Sequence, residues 1–374
     1  MSWVHRLSIL GVVILLLAAL AGCGAKAPSG EAPKAGTEAT KLKVTDLLGR
    51  EVEVTVPAKK VVALGPGALR LVCYVNGASK VVGVEDFEKK NPAGRPYILA
   101  YPELKNLPSA GPGGPQSSPD PEKIASLKPD VVFITYLVDK AQADRLQSQT
   151  GIPVVVLSYG KLATFENEVY ESIKLIGKII GEEKRAEEVV SFFQKSMQEL
   201  KDRTKDIPAD KKPTVYVGAL GMRGSHGIES TQAQFPPFVA IGARNVADET
   251  GLKGSVMIER EKLLAWNPDI LFIDEGGLSL VKADYQKNPS FYQSLKAVKE
   301  GKVYGILPFN FYTTNLDTAL ADAYWAGKVI FPDKFQDIDP VKKADEIYTF
   351  LLGKPLYEQM AKDFGGFKKI NLAE

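Results

Sequence analysis

Glu122-Lys123-Ile124-Ala125-Ser126-Leu127-Lys128-Pro129-Asp130-Val131-Val132-Phe133-Ile134 lines up without a gap on Glu261-Lys262-Leu263-Leu264-Ala265-Trp266-Asn267-Pro268-Asp269-Ile270-Leu271-Phe272-Ile273. Each copy reads as a helix, a Pro-Asp turn and a buried strand. Asp120 is placed to cap the first helix, with Pro121 at its first position. A shorter echo lies upstream of each copy, Gly77-Ala78-Ser79-Lys80-Val81-Val82 against Gly242-Ala243-Arg244-Asn245-Val246-Ala247. Two echoes in the same order imply two related lobes. The period is far too long for a solenoid.

The pattern continues outward on both sides. Residues 42–56 alternate like a strand pair around the turn Leu48-Gly49-Arg50. Val61-Val62-Ala63-Leu64 and Val154-Val155-Val156-Leu157 read as buried strands, and Thr214-Val215-Tyr216-Val217 opens a second α/β section. Strands spaced by helical segments argue for parallel sheets. Between the sections, from about residue 165 to 205, apolar residues recur at helical spacing. This predicts a long helix with a break near Gly181. From Asp317 onward the chain reads as helical, with breaks around Phe331-Pro332 and Gly353.

The amino-terminus carries a different signal. Arg6 precedes the apolar run 9–20, which ends in Leu20-Ala21-Gly22-Cys23. Charge, apolar stretch and small residues in that order form a secretory signal. The run is shorter than the ~20 residues of a spanning helix. Residues 24–40 are small, polar and proline-dotted, as a flexible leash would be. Beyond residue 22, about 350 residues remain, which suits two domains.

Composition excludes several functions. The formal net charge is +2 and no basic stripe marks a nucleic-acid surface. With Cys23 set aside, Cys73 is the one remaining cysteine, in an apolar stretch that reads as core. His226 is the one histidine after the signal. A bare transition-metal ion usually takes several imidazole or thiolate ligands, so no metal site of that kind and no cofactor are expected. There is no Ser-His-Asp order and no His-Glu-x-x-His, so no catalytic residue is expected.

Leu20-Ala21-Gly22-Cys23 resembles the lipobox of bacterial lipoproteins, which implies acyl chains on Cys23. From about Val44 to Leu372 the chain resembles the substrate-binding proteins of bacterial importers for ferric siderophores, haem and cobalamin. The marks are Asp46-Leu47-Leu48-Gly49-Arg50, Lys80-Val81-Val82-Gly83-Val84, the two x-Pro-Asp helices, Asn315 to Ala323, and the segment Gly327 to Phe335. The resemblance implies two Rossmann-like α/β lobes with mostly parallel sheets, joined by one long α-helix, with a ligand cleft between them. The expected division is 1–22 signal, 23–41 linker, 42–163 first lobe, 164–207 connecting helix and 208–374 second lobe with carboxyl-terminal helices. It also implies an extracytoplasmic, lipid-anchored monomer that passes a metal chelate to an ABC permease dimer with its ATPase. Ferric siderophore, haem and cobalamin or another corrinoid all remain open, with an iron chelate preferred as the broadest class of the family.

In that family one surface glutamate per lobe meets permease arginines. The matching positions are Glu122 and Glu261, with Glu259 as a neighbour able to replace the latter. A carboxylate in the first turn of a helix also favours the positive end of the dipole, which would explain both acids without docking. Ligands of open α/β sheets gather beyond the carboxyl ends of the strands. The loops expected there offer Arg95, Tyr101, Tyr136, Arg223, His226, Gln232, Asn310 and Tyr312. Aromatic rings would supply flat walls, and Arg95 and Arg223 would fork onto a carboxylate or chelate oxygen. For His226, axial ligation of a chelated metal, hydrogen bonding and neither are all open.

Overall fold

The computed structural model describes residues 39–374, apart from Asn91, 115–117, Val138, 162–164 and Arg223. The signal segment, Cys23 and most of the leash lie outside the described residues. Residues 39–374 form one compact unit.

An antiparallel pair, β1 (Thr40–Thr45) and β2 (Glu51–Val56), opens the fold as its alternation predicts. The first lobe is a four-stranded parallel sheet of β3 (Val61–Leu64), β4 (Val81–Gly83), β5 (Val131–Ile134) and β6 (Val154–Val156), in the order β4-β3-β5-β6. In the second lobe, β7 (Thr214–Gly218) starts a second parallel sheet. A short antiparallel pair follows from β8 (Ser230–Ala233) and β10 (Gly254–Met257). With β9 (Arg244–Asn245), β11 (Ile270–Asp274) and β12 (Val303–Ile306), the second sheet has the order β12-β11-β7-β9. Strands β3, β5, β6 and β11 are buried throughout, as parallel strands covered on both faces must be.

The two sheets repeat each other. Substituting β3 by β7, β4 by β9, β5 by β11 and β6 by β12 converts one strand order into the other. The register repeats too: Val61 faces Val131 as Val215 faces Ile270, and Val132 faces Val154 as Leu271 faces Val303. The quoted repeat explains why. Helix Pro121–Leu127 stops on Lys128 and helix Arg260–Trp266 on Asn267, both in the left-handed region at φ 48° and 43°. A left-handed residue satisfies the last carbonyls of a helix that the following proline cannot continue. The next residue is an aspartate in both copies. Asp130 accepts from the Lys59 and Lys60 N–H groups at 2.7 and 2.9 Å, and Asp269 accepts from the Thr214 N–H at 2.8 Å. Each aspartate thus ties its own strand to the start of the neighbouring one. The shorter echo is one residue out of register: Val81 is equivalent to Asn245 by strand pairing, not to Val246.

The connecting segment differs from a single rod. It forms two helices, Asn167–Ile180 and Glu183–Thr204, with Gly181 between them at φ 79°. The two fold back on each other. Lys174 meets Glu187 at 3.9 Å, and Tyr170 stacks on Phe193 with centroids 6.4 Å apart. A Cβ on Gly177 would sit 2.4 Å from the Ala186 methyl, so glycine is what allows this closeness. Within the expected range 164–207, residues 167–204 therefore form an αα-hairpin, and the rod is its second helix, about 33 Å long at ~1.5 Å per residue. Helices Leu316–Ile330, Pro340–Leu352 and Tyr357–Phe364 complete the chain, broken where Phe331-Pro332 and Gly353 predict. One hydrophobic core runs without interruption from the first sheet through the hairpin to Phe272 and Ile306 of the second.

Candidate functional site

The carboxyl ends of β3, β4 and β5 present Gly65, Glu85 and Tyr136. Those of β7, β11 and β12 present Ala219, Glu275 and the segment 307–315. That last segment crosses to the first lobe. Its Tyr312 hydroxyl donates to Glu85 Oε2 at 2.9 Å and accepts from the Gly114 N–H at 2.9 Å. The Gly65 N–H donates to the same Glu85 oxygen at 3.0 Å. The Tyr312 ring lies 4.6 Å from the Phe87 ring. Tyr136 covers Gly65 so closely that a Cβ there would lie 2.1 Å from its ring. Phe87 and Tyr136 are half-buried, while Glu85 and Tyr312 are buried. The result is a carboxyl group with three aromatic side chains around it where the two lobes meet.

A buried arginine fixes this arrangement. Arg70, in helix Ala68–Tyr74, is fully buried. It donates to Asn315 Oδ1, the Thr314 carbonyl and the Phe311 carbonyl, each at 2.8 Å, and to the Tyr159 hydroxyl at 3.1 Å. Its guanidinium lies over the Tyr97 ring at 4.9 Å. Tyr312 and Thr313 sit at φ 54° and 65°, a conformation that non-glycine residues hold only when their surroundings impose it. Here Arg70 grips the carbonyls on either side. Asn315 closes the loop by donating to the Gly94 and Phe309 carbonyls.

Burial dominates the electrostatics. It pushes the Glu85 carboxyl up to about 7, against the opposing pull of the Tyr312 and Gly65 hydrogen bonds. On the second lobe, burial pushes Asp274 up to about 7 and Glu275 up to about 8. Asp322 behind them is pushed well above its usual range by burial and by these two acids. Burial, then the nearby Glu85, also raises the Tyr136 and Tyr312 phenols.

The expected site residues fare differently. Tyr136 and Tyr312 come together as described. Asn310 and His226 lie on the second-lobe side: Asn310 donates to the Gly221 carbonyl at 2.9 Å, and the His226 ring is 2.8 Å from the Met222 carbonyl within its own loop. Three others are corrected or moved. Arg95 does not offer a free fork: it is 5% exposed, bound to Glu88 at 3.3 Å and to the Phe87 carbonyl, and stacked over Phe87 at 4.7 Å. Tyr101 lies within electrostatic reach of Cys73 and Arg185 and packs on the core. Gln232 is a strand residue, paired with Ser255 in the β8–β10 ribbon, because 230–233 is strand and not loop. Arg223 and Cys23 lie outside the described residues. Glu122 and Glu261 are both exposed in the first turns of their equivalent helices, and Glu259 is exposed at the cap of the second.

Sequence reasoning missed Glu85, Phe87 and the role of Arg70. The available signal was position: Glu85 directly follows an apolar strand, as Tyr136 closely follows another. Among the described residues, no group of three His, Cys, Asp or Glu side chains is placed to hold a metal, and no helix is long and apolar enough to cross a membrane.

Residues 61–308 match the family described as periplasmic binding protein. The chain belongs to that family. Its relatives within the periplasmic binding proteins include the molybdate-binding protein MolA of Haemophilus influenzae, 28% identical over 325 residues, 82% of this chain and 89% of that one. An ABC transporter substrate-binding lipoprotein of Bacillus subtilis, YvrC, is 26% identical over 335 residues, 89% of this chain and 99% of its own length. The iron-uptake system-binding protein of the same organism is 27% identical over 312 residues, 80% and 90% of the two chains. The solved structure of MolA bound to molybdate superposes with a TM-score of 0.66 at 24% identity, covering 84% of this chain and 98% of that one. That likeness shows the fold.

Proposed function

We propose that the chain is the extracytoplasmic receptor of an ABC importer, anchored by lipid on Cys23, that captures an oxygen-rich metal species and catalyses nothing. The observation that carries this reading is the junction of two repeat-related sheets, where Phe87, Tyr136 and Tyr312 enclose the Glu85 carboxyl. Open α/β sheets bind ligands at such a place. Flat aromatic walls with polar tips suit an organic chelate. The first reading of the cargo is an iron(III) chelate, as the name of the iron-uptake relative supports. A second reading, a molybdate-type oxyanion, is favoured by the relation to the molybdate-binding protein. The partner is a permease dimer with its ATPase. Glu122 and Glu261, at equivalent exposed sites on the two lobes, suit a two-fold partner, where charges give steering and register.

The test is the visible spectrum and melting temperature of the protein purified from its host and after soaking with candidate cargoes. A ferric charge-transfer band with a raised Tm supports the first reading. A colourless rise in Tm with molybdate supports the second. A Soret or corrinoid band would replace both with haem or a corrinoid. No rise in Tm with any of these would sink the receptor reading, because a ligand specific to the native state must stabilise it.

A further inference from the structure

At the lobe junction, Glu85 is neither committed to a cation nor exposed to solvent. It is 2% exposed. Both of its hydrogen bonds, from the Gly65 N–H and the Tyr312 hydroxyl, fall on Oε2, and Oε1 carries none among the described residues. The guanidinium groups of Arg95 and Arg70 are spent elsewhere: Arg95 on Glu88, and Arg70 on the carbonyls of the 311–314 loop. The groups that face Glu85 are the phenols of Tyr312 and Tyr136 and the carboxyl of Glu88, which is itself paired with Arg95 and Tyr97. Gly113 packs against its Cβ, where any larger residue would collide. The carboxyl is thus fixed in place by two donors on one oxygen, with the other oxygen left to meet something else.

We propose that Glu85 is the cargo-contacting residue that sets specificity: its free oxygen meets an oxygen atom of the cargo as a hydrogen-bond donor, so capture of an oxygen-rich anion takes up one proton. This inference rests on the cargo reading given above. The geometry accounts for both protonation states. With the proton on Oε1, Oε2 remains a carbonyl-type acceptor for Gly65 and Tyr312 while the O–H points to the cargo. Without it, the carboxylate sets an acceptor and a negative charge against the cargo's own oxygens in a poorly solvated place, and among the described residues no cation is paired with it to offset this. Burial already holds the free protein's carboxyl near half-protonation at neutral pH. The protein would therefore take anionic cargo readily below pH 7 and lose affinity above it.

Linkage sets the size of the effect: one proton taken up per cargo weakens binding about tenfold for each pH unit above about 7. The test is calorimetric titration from pH 5.5 to 9 with iron(III) citrate, an iron(III) hydroxamate chelate and molybdate, on the full mature chain and on Glu85→Gln. The glutamine amide donates permanently and does not titrate. Both proteins see the same cargo speciation, so the readout is the ratio of their Kd values. The proposal expects that ratio to change about tenfold per pH unit above 7, with Glu85→Gln the tighter binder at pH 9. A ratio constant across the range overturns it. Binding of no probe to either protein at any pH would show that the cargo class is wrong, and the proposal would fall with it. If Glu85→Gln does not fold, the wild-type chain is titrated at pH 8 in two buffers of different ionisation enthalpy. Uptake of close to one proton supports the proposal and uptake of none refutes it.

Discussion

Replacing Arg70 with methionine removes the clamp on the loop that carries Tyr312 while keeping an apolar stem of similar length. The acceptors that lose this donor include Asn315 Oδ1 and the Thr314 and Phe311 carbonyls, all at 2.8 Å, and the Tyr159 hydroxyl at 3.1 Å. A buried acceptor left unpaired costs ~1–3 kcal/mol. Asp317, buried and within electrostatic reach of Arg70, also loses a nearby positive charge. These costs do not simply add, because the loop can swing out and rehydrate its carbonyls. A net loss of about 4 kcal/mol is expected, a large share of a native stability of about 5–15 kcal/mol. At roughly 2 °C per kcal/mol for a chain of this size, Tm should fall by about 8 °C. Thermal denaturation followed by circular dichroism measures it. Arg70→Lys keeps the charge near Asp317 but loses the planar fork, so it should fall between the two. A Tm for Arg70→Met within about 2 °C of wild type would refute the clamp.

Two further outcomes follow from the same geometry. Glu122→Arg with Glu261→Arg should cut transport into cells ~tenfold or more, by reversing the charge that the two sites present to the partner, and leave cargo Kd unchanged. A weakened Kd would place these acids in the cargo site instead. Stability should also depend on pH through the second-lobe acids. Asp274 and Glu275 titrate near 7 and 8 in the folded chain, against ~3.9 and ~4.3 unfolded. Their folded values are raised, so their contribution is fully present below pH ~4 and is lost as pH rises through ~7–8. Tm should fall between pH 5 and 8.5, and Asp274→Asn with Glu275→Gln should flatten that fall. An unchanged slope in the double variant would show that other groups set it.

Much of the fold was legible because local chemistry and tertiary position agree. The Pro-Asp turns after Lys128 and Asn267 force a helix to end, and their aspartates tie adjacent strands, so the sequence repeat and the sheet repeat are the same object. The hairpin was harder to read. Apolar spacing is alike on both sides of Gly181, and periodicity does not distinguish a straight rod from one that turns back on itself. The small-residue contact of Gly177 with Ala186 is visible only once the two helices meet. The site was legible by place and only partly by residue. Tyr136 and Tyr312 lie in the loops that the sheet rule selects. Arg95 reads as free in sequence because its partner Glu88, seven residues away, gives no sign that the two are buried together. Glu85 and Arg70 owe their roles to contacts made across 227 and 245 positions of chain, which no local pattern encodes.

The central claim is that both lobes hold one cargo between the carboxyl ends of their sheets. Amide hydrogen exchange of the mature chain, with and without saturating iron(III) citrate or molybdate, tests it most directly. The account predicts slowed exchange in segments of both lobes at once: 65–67 and 111–114 from the first, 219–226 and 309–314 from the second. Protection confined to one lobe, or found only away from these segments while cargo is bound, would contradict it.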